Sequence, residues 1–349
     1  MRKLWLALIV AFFFFEAHAQ INRGQIKKNN KRIGSYRGAA NTFGKGKAYS
    51  AIGVSVNALN YYGDLAPRPN RVSTDISFTK PGFGLNFMHR FGPRYTVLAT
   101  FMGGTLRGSD AESADKNDLN NGVYRYKRNL SFKNNIQELS VVAVLDLFKN
   151  DGNYIARVKW TPYAFVGIGM FHHQPKALAP ATGVNGAPLP EAGNWVKLRE
   201  LGTEGQYATL QETDANSGNK PYSLFQAAIP FGIGARLRLT EVLDLWADIG
   251  FRYTFTDYLD DVSRNYVDLG ALNSDLAKAM SYRTNELKLA TSTNSYVGRD
   301  GQTYTVEPGY GQEHPDNMRG SKADRDIYMV TSFRLTYIIG ATFHKAKFR

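Results

Sequence analysis

The chain has 349 residues, a net charge of +13 and no cysteine, so disulfides, thiolate chemistry and an amino-terminal lipid anchor are excluded. Its mean hydropathy of -0.35 excludes a bundle of membrane-spanning helices. Aromatic residues nevertheless make up 13% of the chain, which suits a membrane barrel whose apolar positions are diluted by alternation. A large soluble β-protein shares much of this composition, so composition alone does not decide the fold class.

The amino terminus has the three parts of a secretory signal peptide. Arg2 and Lys3 precede an apolar stretch over residues 4–15, and Ala17-His18-Ala19 fits the small-x-small rule of a cleavage site. The sequence therefore predicts a removed leader over residues 1–19 and an exported mature chain.

Residues 20–47 form a basic segment with no Asp or Glu and few apolar residues, so they bury too little surface to fold alone. One interpretation is a solvated, disordered tail. The other is a periplasmic arm that binds an acidic partner or anionic lipid headgroups. Nucleic acid is not expected as a partner, because the chain is exported and has no recognisable nucleic-acid-binding fold. The candidate partner-binding residues are Arg23, Lys27, Lys28, Lys31, Arg32 and Arg37.

Eight later stretches alternate apolar and polar residues with the period of two that is typical of a β-strand. The clearest covers residues 243–255, where every second residue from Leu243 to Phe255 is apolar or aromatic. It is longer than the roughly five or six residues of a usual soluble strand and matches a tilted strand across a bilayer. The predicted strands are 48–60, 81–91, 95–107, 132–148, 157–171, 224–239, 243–255 and 327–343.

Short turns and long loops alternate between these strands. Short turns follow the second, fourth and sixth strands, at residues 92–94, 149–153 and 240–241. Outer-membrane barrels place short turns in the periplasm and long loops outside, so both chain termini are predicted in the periplasm. Because a bilayer tolerates no open sheet edge, the sheet must close. The predicted fold class is all-β: an eight-stranded antiparallel transmembrane β-barrel over residues 48–349, in the cell outer membrane.

The polar faces of the strands carry charged residues that would point inward and pair there. An eight-stranded barrel is just wide enough to be filled by side chains, so we expect a plugged interior and no solute pore. Pro230 removes a ladder hydrogen bond inside the sixth strand, and we expect a bulge there. Gly232 and Gly234 lie in the same strand and suit sheet curvature or close packing. The inward charged residues are Glu138, Arg236, Asp248, Arg252 and Arg334.

Two features invite a chemical interpretation. The adjacent His172 and His173 would point to opposite faces of a strand, so they make a poor metal pair. Asp257, Asp260 and Asp261 at a barrel mouth could hold Ca²⁺, act as general acid and base, or cap turns in a structured loop. No activated nucleophile accompanies them by spacing, so no enzyme activity, cofactor or metal is predicted.

Several motifs together resemble the PorG-like family of small outer-membrane barrels. They are TPYAFVGIGMFHHQPKA (161–177), LGTEGQ (201–206), IPFGIGARLRL (229–239) and FRYTFTDYLDDVS (251–263), with YYGDL (61–65) and NLSF (129–132) in the same pattern. The resemblance covers most of the barrel, but neither the basic segment nor the tip of the last long loop. The penultimate position of Phe348 departs from the aromatic final residue of many outer-membrane barrels.

The resemblance implies a component of the type IX secretion system, in which the barrel associates with a periplasmic ring formed by a lipoprotein and its partner. It implies neither an enzyme nor the export channel. We therefore expect a structural and assembly role, with outer-membrane lipid and the ring proteins as partners. One alternative is a surface adhesion or protection barrel that acts through its long outer loops. The other is a membrane enzyme that uses Asp257, Asp260 and Asp261.

Overall fold

The computed structural model describes residues 47–66, 78–288, 293–323 and 325–340. The predicted leader, the candidate arm residues Arg23, Lys27, Lys28, Lys31, Arg32 and Arg37, and the chain end with Phe348 lie outside these residues. Within the described ranges, every helix is too short or too polar to cross a membrane.

Long antiparallel strands dominate the described chain. In chain order the strands are β1 (Tyr49–Tyr62), β2 (Lys80–Arg90), β3 (Tyr95–Ser109), β4 (Ser131–Asp146), β5 (Trp160–His172), β6 (Pro175–Leu178), β7 (Trp195–Lys197), β8 (Phe225–Arg238), β9 (Leu243–Thr254), β10 (Asn294–Val297), β11 (Thr303–Val306) and β12 (Ile327–Ile339). The helices are α1 (Asp110–Ser113), α2 (Gly122–Arg128), α3 (Leu198–Leu201) and α4 (Asp275–Ser281), with 3₁₀ turns at Leu269–Ala271 and Thr284–Leu287.

Eight of these strands form a closed wall. Pairing runs through β1, β2, β3, β4, β5, β8, β9 and β12, and β12 returns to β1 with Ser50 opposite Ile339 and Tyr62 opposite Ile327. Each wall strand therefore has a hydrogen-bonded neighbour on both sides, and no wall edge is left for another chain to extend. The predicted eight-stranded antiparallel barrel is confirmed.

The alternation of the sequence becomes an apolar exterior and a buried polar interior. Outward side chains such as Val54, Phe83 and Ile168 are 59%, 69% and 75% exposed, whereas the residues between them are mostly buried. This inside-out distribution suits a wall that faces hydrocarbon.

Buried ion pairs fill the interior, as predicted. The pairs are Arg90–Asp146 (2.6 Å), Arg236–Asp146 (2.7 Å), Arg157–Asp244 (2.7 Å), Arg334–Asp248 (3.1 Å) and Arg252–Glu138 (3.4 Å). Trp246 is fully buried among them, with the Arg236 and Arg334 guanidinium carbons 4.8 and 6.0 Å from its ring centroid. Each charge therefore has a partner inside the wall, which is the condition for burying it.

Glycines on the inner face leave room for one aromatic side chain. A Cβ atom at Gly250 would lie 2.5 Å from Cζ of Phe165, and one at Gly232 would lie 2.8 Å from the same atom. The Phe165 ring therefore occupies the volume that side chains at these positions would take. This confirms the close-packing interpretation of the glycines in β8.

Two details of the wall differ from prediction. The connection between β4 and β5 covers residues 147–159, longer than the predicted 149–153, because the Arg157 guanidinium is buried against Asp244 and the carbonyls of Thr240 and Glu241. The predicted bulge at Pro230 is wrong. Val166 opposite Phe231 and Gly169 opposite Ala228 belong to one register, so no residue is inserted between them. The hydrogen-bonded pairing of β5 with β8 is interrupted only beside Pro230, which has no N–H to donate.

The long connections lie at one end of the wall and have an apolar core of their own. We call their described parts, within residues 63–79, 110–130, 173–224 and 255–326, the cap. The short connections, the start of β1 and the end of β12 lie at the opposite end. The buried core of the cap consists of Tyr266, Val267, Leu269, Leu272, Ala277, Tyr282, Tyr304, Val306 and Tyr310.

Candidate functional site

The LGTEGQ motif lies at the centre of the cap. Oε1 of Glu204 accepts hydrogen bonds from the backbone N–H groups of Ser263 (2.9 Å) and Arg264 (3.2 Å) and from Nη1 of Arg319 (3.0 Å). Gly202 and Gly205 on either side have φ of +62° and +78°, a backbone region that glycine reaches without strain. The motif therefore forms a tight turn, and its Glu204 side chain joins two distant parts of the last long connection through hydrogen bonds.

Arg319 extends this hydrogen-bond network across the cap. Its Nη1 also donates to the Asp261 carbonyl at 2.6 Å, and its own carbonyl accepts from Nη1 of Arg128 at 2.7 Å. Arg128 in turn donates through Nε and Nη2 to the two oxygens of Asp110, at 2.8 and 2.9 Å. This buried series of ion pairs links the β3–β4, β5–β8 and β9–β12 connections.

Asp261 is held in an unusual backbone conformation. Its φ is +70°, in the left-handed region, and its carboxylate accepts hydrogen bonds from Thr203 Oγ1 (2.5 Å) and the Tyr222 hydroxyl (2.7 Å). Burial raises the pKa of Asp261 to about 6, although Arg319 opposes the shift. The two hydroxyl donors fix the Asp261 side chain, and the surrounding cap holds its backbone in the left-handed region, so this aspartate has a structural role in the cap.

Asp260 points to a different neighbour. The single Tyr61 hydroxyl lies 2.7 Å from Asp260 Oδ2 and 2.6 Å from Asp326 Oδ1. One O–H group donates once, so the second short contact requires a proton on one of the two carboxyls. Burial raises the pKa of both carboxyls well above the usual range, and neighbouring carboxylates add to the shift. The Tyr61 hydroxyl therefore bridges two buried aspartates at the mouth of the barrel.

The three aspartates singled out in the sequence do not form one site. Asp261 faces Thr203 and Tyr222, whereas Asp260 faces Tyr61 and also accepts from the Val262 backbone N–H at 2.9 Å, which confirms a turn-capping role. Burial raises the pKa of Asp257 to about 9, more than the nearby Ser263 hydroxyl lowers it. Among the described residues, no group of three or more His, Cys, Asp or Glu side chains is arranged to hold a metal ion.

The two histidines also diverge, as their position on a strand predicts. Burial lowers the pKa of the His173 ring to about 4, although its Nε2 lies 3.1 Å from the Ser223 carbonyl, a contact that opposes the shift. The Tyr222 ring stacks on that imidazole at 5.8 Å. The His172 ring instead lies 5.0 Å from the ring of Phe225. His173 is therefore a neutral packing residue of the cap.

Four of the motifs behind the family resemblance meet where the wall joins this cap: YYGDL, NLSF, LGTEGQ and the 251–263 motif. YYGDL supplies Tyr61, NLSF begins with the αL residue Asn129 that donates to the Arg283 carbonyl at 3.0 Å, and LGTEGQ supplies Glu204. The 251–263 motif supplies Asp260, a partner of Tyr61, and Ser263, a partner of Glu204. Sequence reasoning missed Glu204, Arg319, Arg128 and Asp326, and the joint occurrence of these separated motifs was the signal that could have grouped them.

The closed wall, apolar exterior and charged interior define the class of the protein as a transmembrane β-barrel of the outer-membrane type. A model of the family described as "Domain of unknown function (DUF6089)" matches residues 40–183. Comparison with curated proteins finds no match.

Three solved structures illustrate the similarity in fold. Outer membrane protein OprG from Pseudomonas aeruginosa has 11% identity, with 86% of this chain and 100% of that chain covered and a TM-score of 0.36. Ail of Yersinia pestis, in complex with the heparin analogue sucrose octasulfate, has 8% identity, 84% and 97% coverage and a TM-score of 0.31. The N-terminal barrel domain of Pseudomonas aeruginosa OprF has 7% identity, 84% and 99% coverage and a TM-score of 0.30.

Proposed function

We propose that this protein is a non-enzymatic outer-membrane barrel that serves as a structural and assembly component of the type IX secretion system and anchors its periplasmic ring. The observation that carries the structural role is the interior filled by buried ion pairs beneath a folded cap, which makes the wall a rigid anchor. The motif resemblance is the support for the particular secretion system.

The short-connection end is the surface we assign to the ring. The described chain begins at that end, and the basic segment with Arg23 to Arg37 precedes it in the sequence. The short connections there add the exposed cations Arg94, Lys149 and Lys159. Exposed cations at that end favour acidic surfaces on the ring proteins, and we assign the basic segment the same partner.

A pull-down tests this role. The chain, tagged in its longest cap connection, is extracted from native outer membranes in mild detergent, and the lipoprotein and its ring partner are sought in the eluate. We expect both to co-purify, and to be lost on deletion of residues 21–45 or in the R94Q/K149Q/K159Q variant. A matched variant in the cap, K220Q/K322Q, should retain them. Recovery of the barrel alone, with secretion unaffected by its absence, would refute the role.

A second function is favoured by the cap itself. The cap has its own apolar core and exposes Leu119 (75%), Val297 (70%) and Met318 (57%) on its surface. Exposed apolar side chains on a folded surface suit adhesion to another macromolecule or surface protection. Serine at these three positions should abolish adhesion while secretion continues; unchanged adhesion would exclude this function for the cap surface.

A further inference from the structure

Four basic residues lie in a row across four neighbouring strands. Arg107 of β3 is directly opposite Lys133 of β4, Lys133 is opposite Lys176 of β6, and Lys176 is opposite Lys197 of β7. Directly opposite residues of antiparallel strands project from the same face of a sheet. The four cationic side chains therefore form one continuous line, which we call the cationic row.

The row lies on the outer face of the sheet. Lys133 is exposed and shares its side of β4 with the exposed Leu139, whereas the alternate residues Asn134 and Glu138 are buried inside. The register then places the other three cations on the same outward face. The row therefore faces the material that surrounds the barrel.

Only the two ends of the row have carboxylate partners. Arg107 pairs with Glu112, and Lys197 pairs with Glu200 at 2.7 Å. Within the part of the chain that the structure describes, the central Lys133 and Lys176 have no carboxylate within ion-pair distance. Like charges directly opposite each other destabilise a sheet, and an anion bound between them would offset this repulsion.

The height of the row indicates which anion lies there. Lys133 precedes Leu139, at the edge of the apolar band, by six residues, or roughly 15 Å above hydrocarbon for a strand rise of about 3.3 Å and a tilt of about 40°. Phospholipid headgroups occupy only about 5–7 Å on each side of the bilayer. Lys133 is thus at the height of a headgroup larger than that of a phospholipid.

An exposed aromatic side chain borders the row on the side away from the membrane. Trp195 is 51% exposed, its ring centroid lies 5.4 Å from Nζ of Lys133, and it is opposite the exposed Leu178. With the Lys133 ammonium over one face of the half-exposed indole, the remaining exposed face suits the flat side of a sugar ring that carries phosphate.

We propose that the cationic row and Trp195 bind the phosphorylated sugar headgroup of a membrane glycolipid. The lysines contact the phosphates as flexible point charges, and the indole stacks on the sugar. The site lies where β6 and β7 of the cap extend the wall strands β3 and β4, and it is independent of the secretion role.

The purified barrel in neutral detergent is titrated with rough-type lipopolysaccharide, a phosphorylated glycolipid, and the bound lipid is counted by native mass spectrometry. We expect saturable binding that weakens roughly thirtyfold in K133Q/K176Q, from about 1 kcal/mol for each lysine near an anionic headgroup. The charge-matched cap variant K220Q/K322Q should bind as the unaltered chain does, and K133R/K176R should restore binding. Gel mobility before and after boiling verifies that each variant is folded.

Competing ligands decide the source of the phosphate. Dephosphorylated lipopolysaccharide, phosphatidylglycerol and inorganic pyrophosphate should each bind much more weakly. Equal binding of phosphatidylglycerol or pyrophosphate, with the same dependence on Lys133 and Lys176, would overturn the assignment to a glycolipid. Equal losses in K133Q/K176Q and K220Q/K322Q would overturn the site.

Discussion

Replacement of Arg319 by methionine tests whether the cap is a folded unit held by its buried ion pairs. Arg319 is 2% exposed and faces Glu204, which is fully buried, at 3.0 Å. Methionine keeps the volume but leaves the carboxylate without its cation. Removal of one partner of a buried pair costs about 3–5 kcal/mol, so the equilibrium for cap opening should rise by roughly two to three and a half orders of magnitude.

Limited proteolysis measures this change, because cleavage follows the population of the open form when opening and closing are fast. Cleavage within residues 257–325 should accelerate in R319M while the wall stays folded on unboiled gels. R299M is the control, since Arg299, 34% exposed in its ion pairs with Asp214 and Glu313, is far more open to solvent than Arg319 and should change the rate less than about fivefold. The E204Q/R319M double variant should recover part of the loss. Equal rates in R319M and R299M would refute the reasoning.

Three further predictions concern the cap and the wall. The cap should open more as the pH rises from 6 to 9. The reason is that Asp257 has a pKa raised to about 9 in the folded cap, so its stabilising contribution is complete below pH about 4 and is lost as the pH approaches 9. D257N should flatten this pH dependence, measured by proteolysis with a protease that is active across the range. G250A should destabilise the barrel by about 1–3 kcal/mol, because the added Cβ overpacks against Phe165. Adding F165A to the same chain should relieve the clash. Urea unfolding in liposomes measures both effects, and a double variant no more stable than G250A would contradict the packing argument. F333R, on the lipid face of β12, should cost about 2–4 kcal/mol in that assay, whereas L119R in the cap should cost almost nothing; equal costs would contradict the position of the wall in the bilayer.

The cap changes where function is sought in this chain. The polar motifs of the long connections are used to build a closed surface over the barrel, with Glu204 and Arg319 at its centre. The surfaces left for partners are therefore the short-connection end, the exposed apolar residues of the cap and the outward cationic row. Each has its own experiment above, and the variants do not overlap except in the shared control.

The sequence by itself determined the wall. Alternation of apolar and polar residues is a local property with a period of two, so it predicted all eight strands and the outward and inward faces, including the charged positions Glu138, Arg236, Asp248, Arg252 and Arg334. The observed strand ends differ from the predicted ones by a few residues where a tertiary contact intervenes. Arg157, for example, was predicted to begin the fifth strand but lies in the connection before it, where its guanidinium pairs with Asp244.

Only the tertiary structure decided the cap and the cationic row. Glu204 and Arg319 are separated by more than a hundred residues, and no local period relates them; they meet because the closed wall brings the ends of four loops to one place. Lys133, Lys176 and Lys197 likewise become neighbours only through strand register, which the sequence of each segment alone does not contain. Local periodicity determined which residues face lipid, and long-range pairing determined which charges meet.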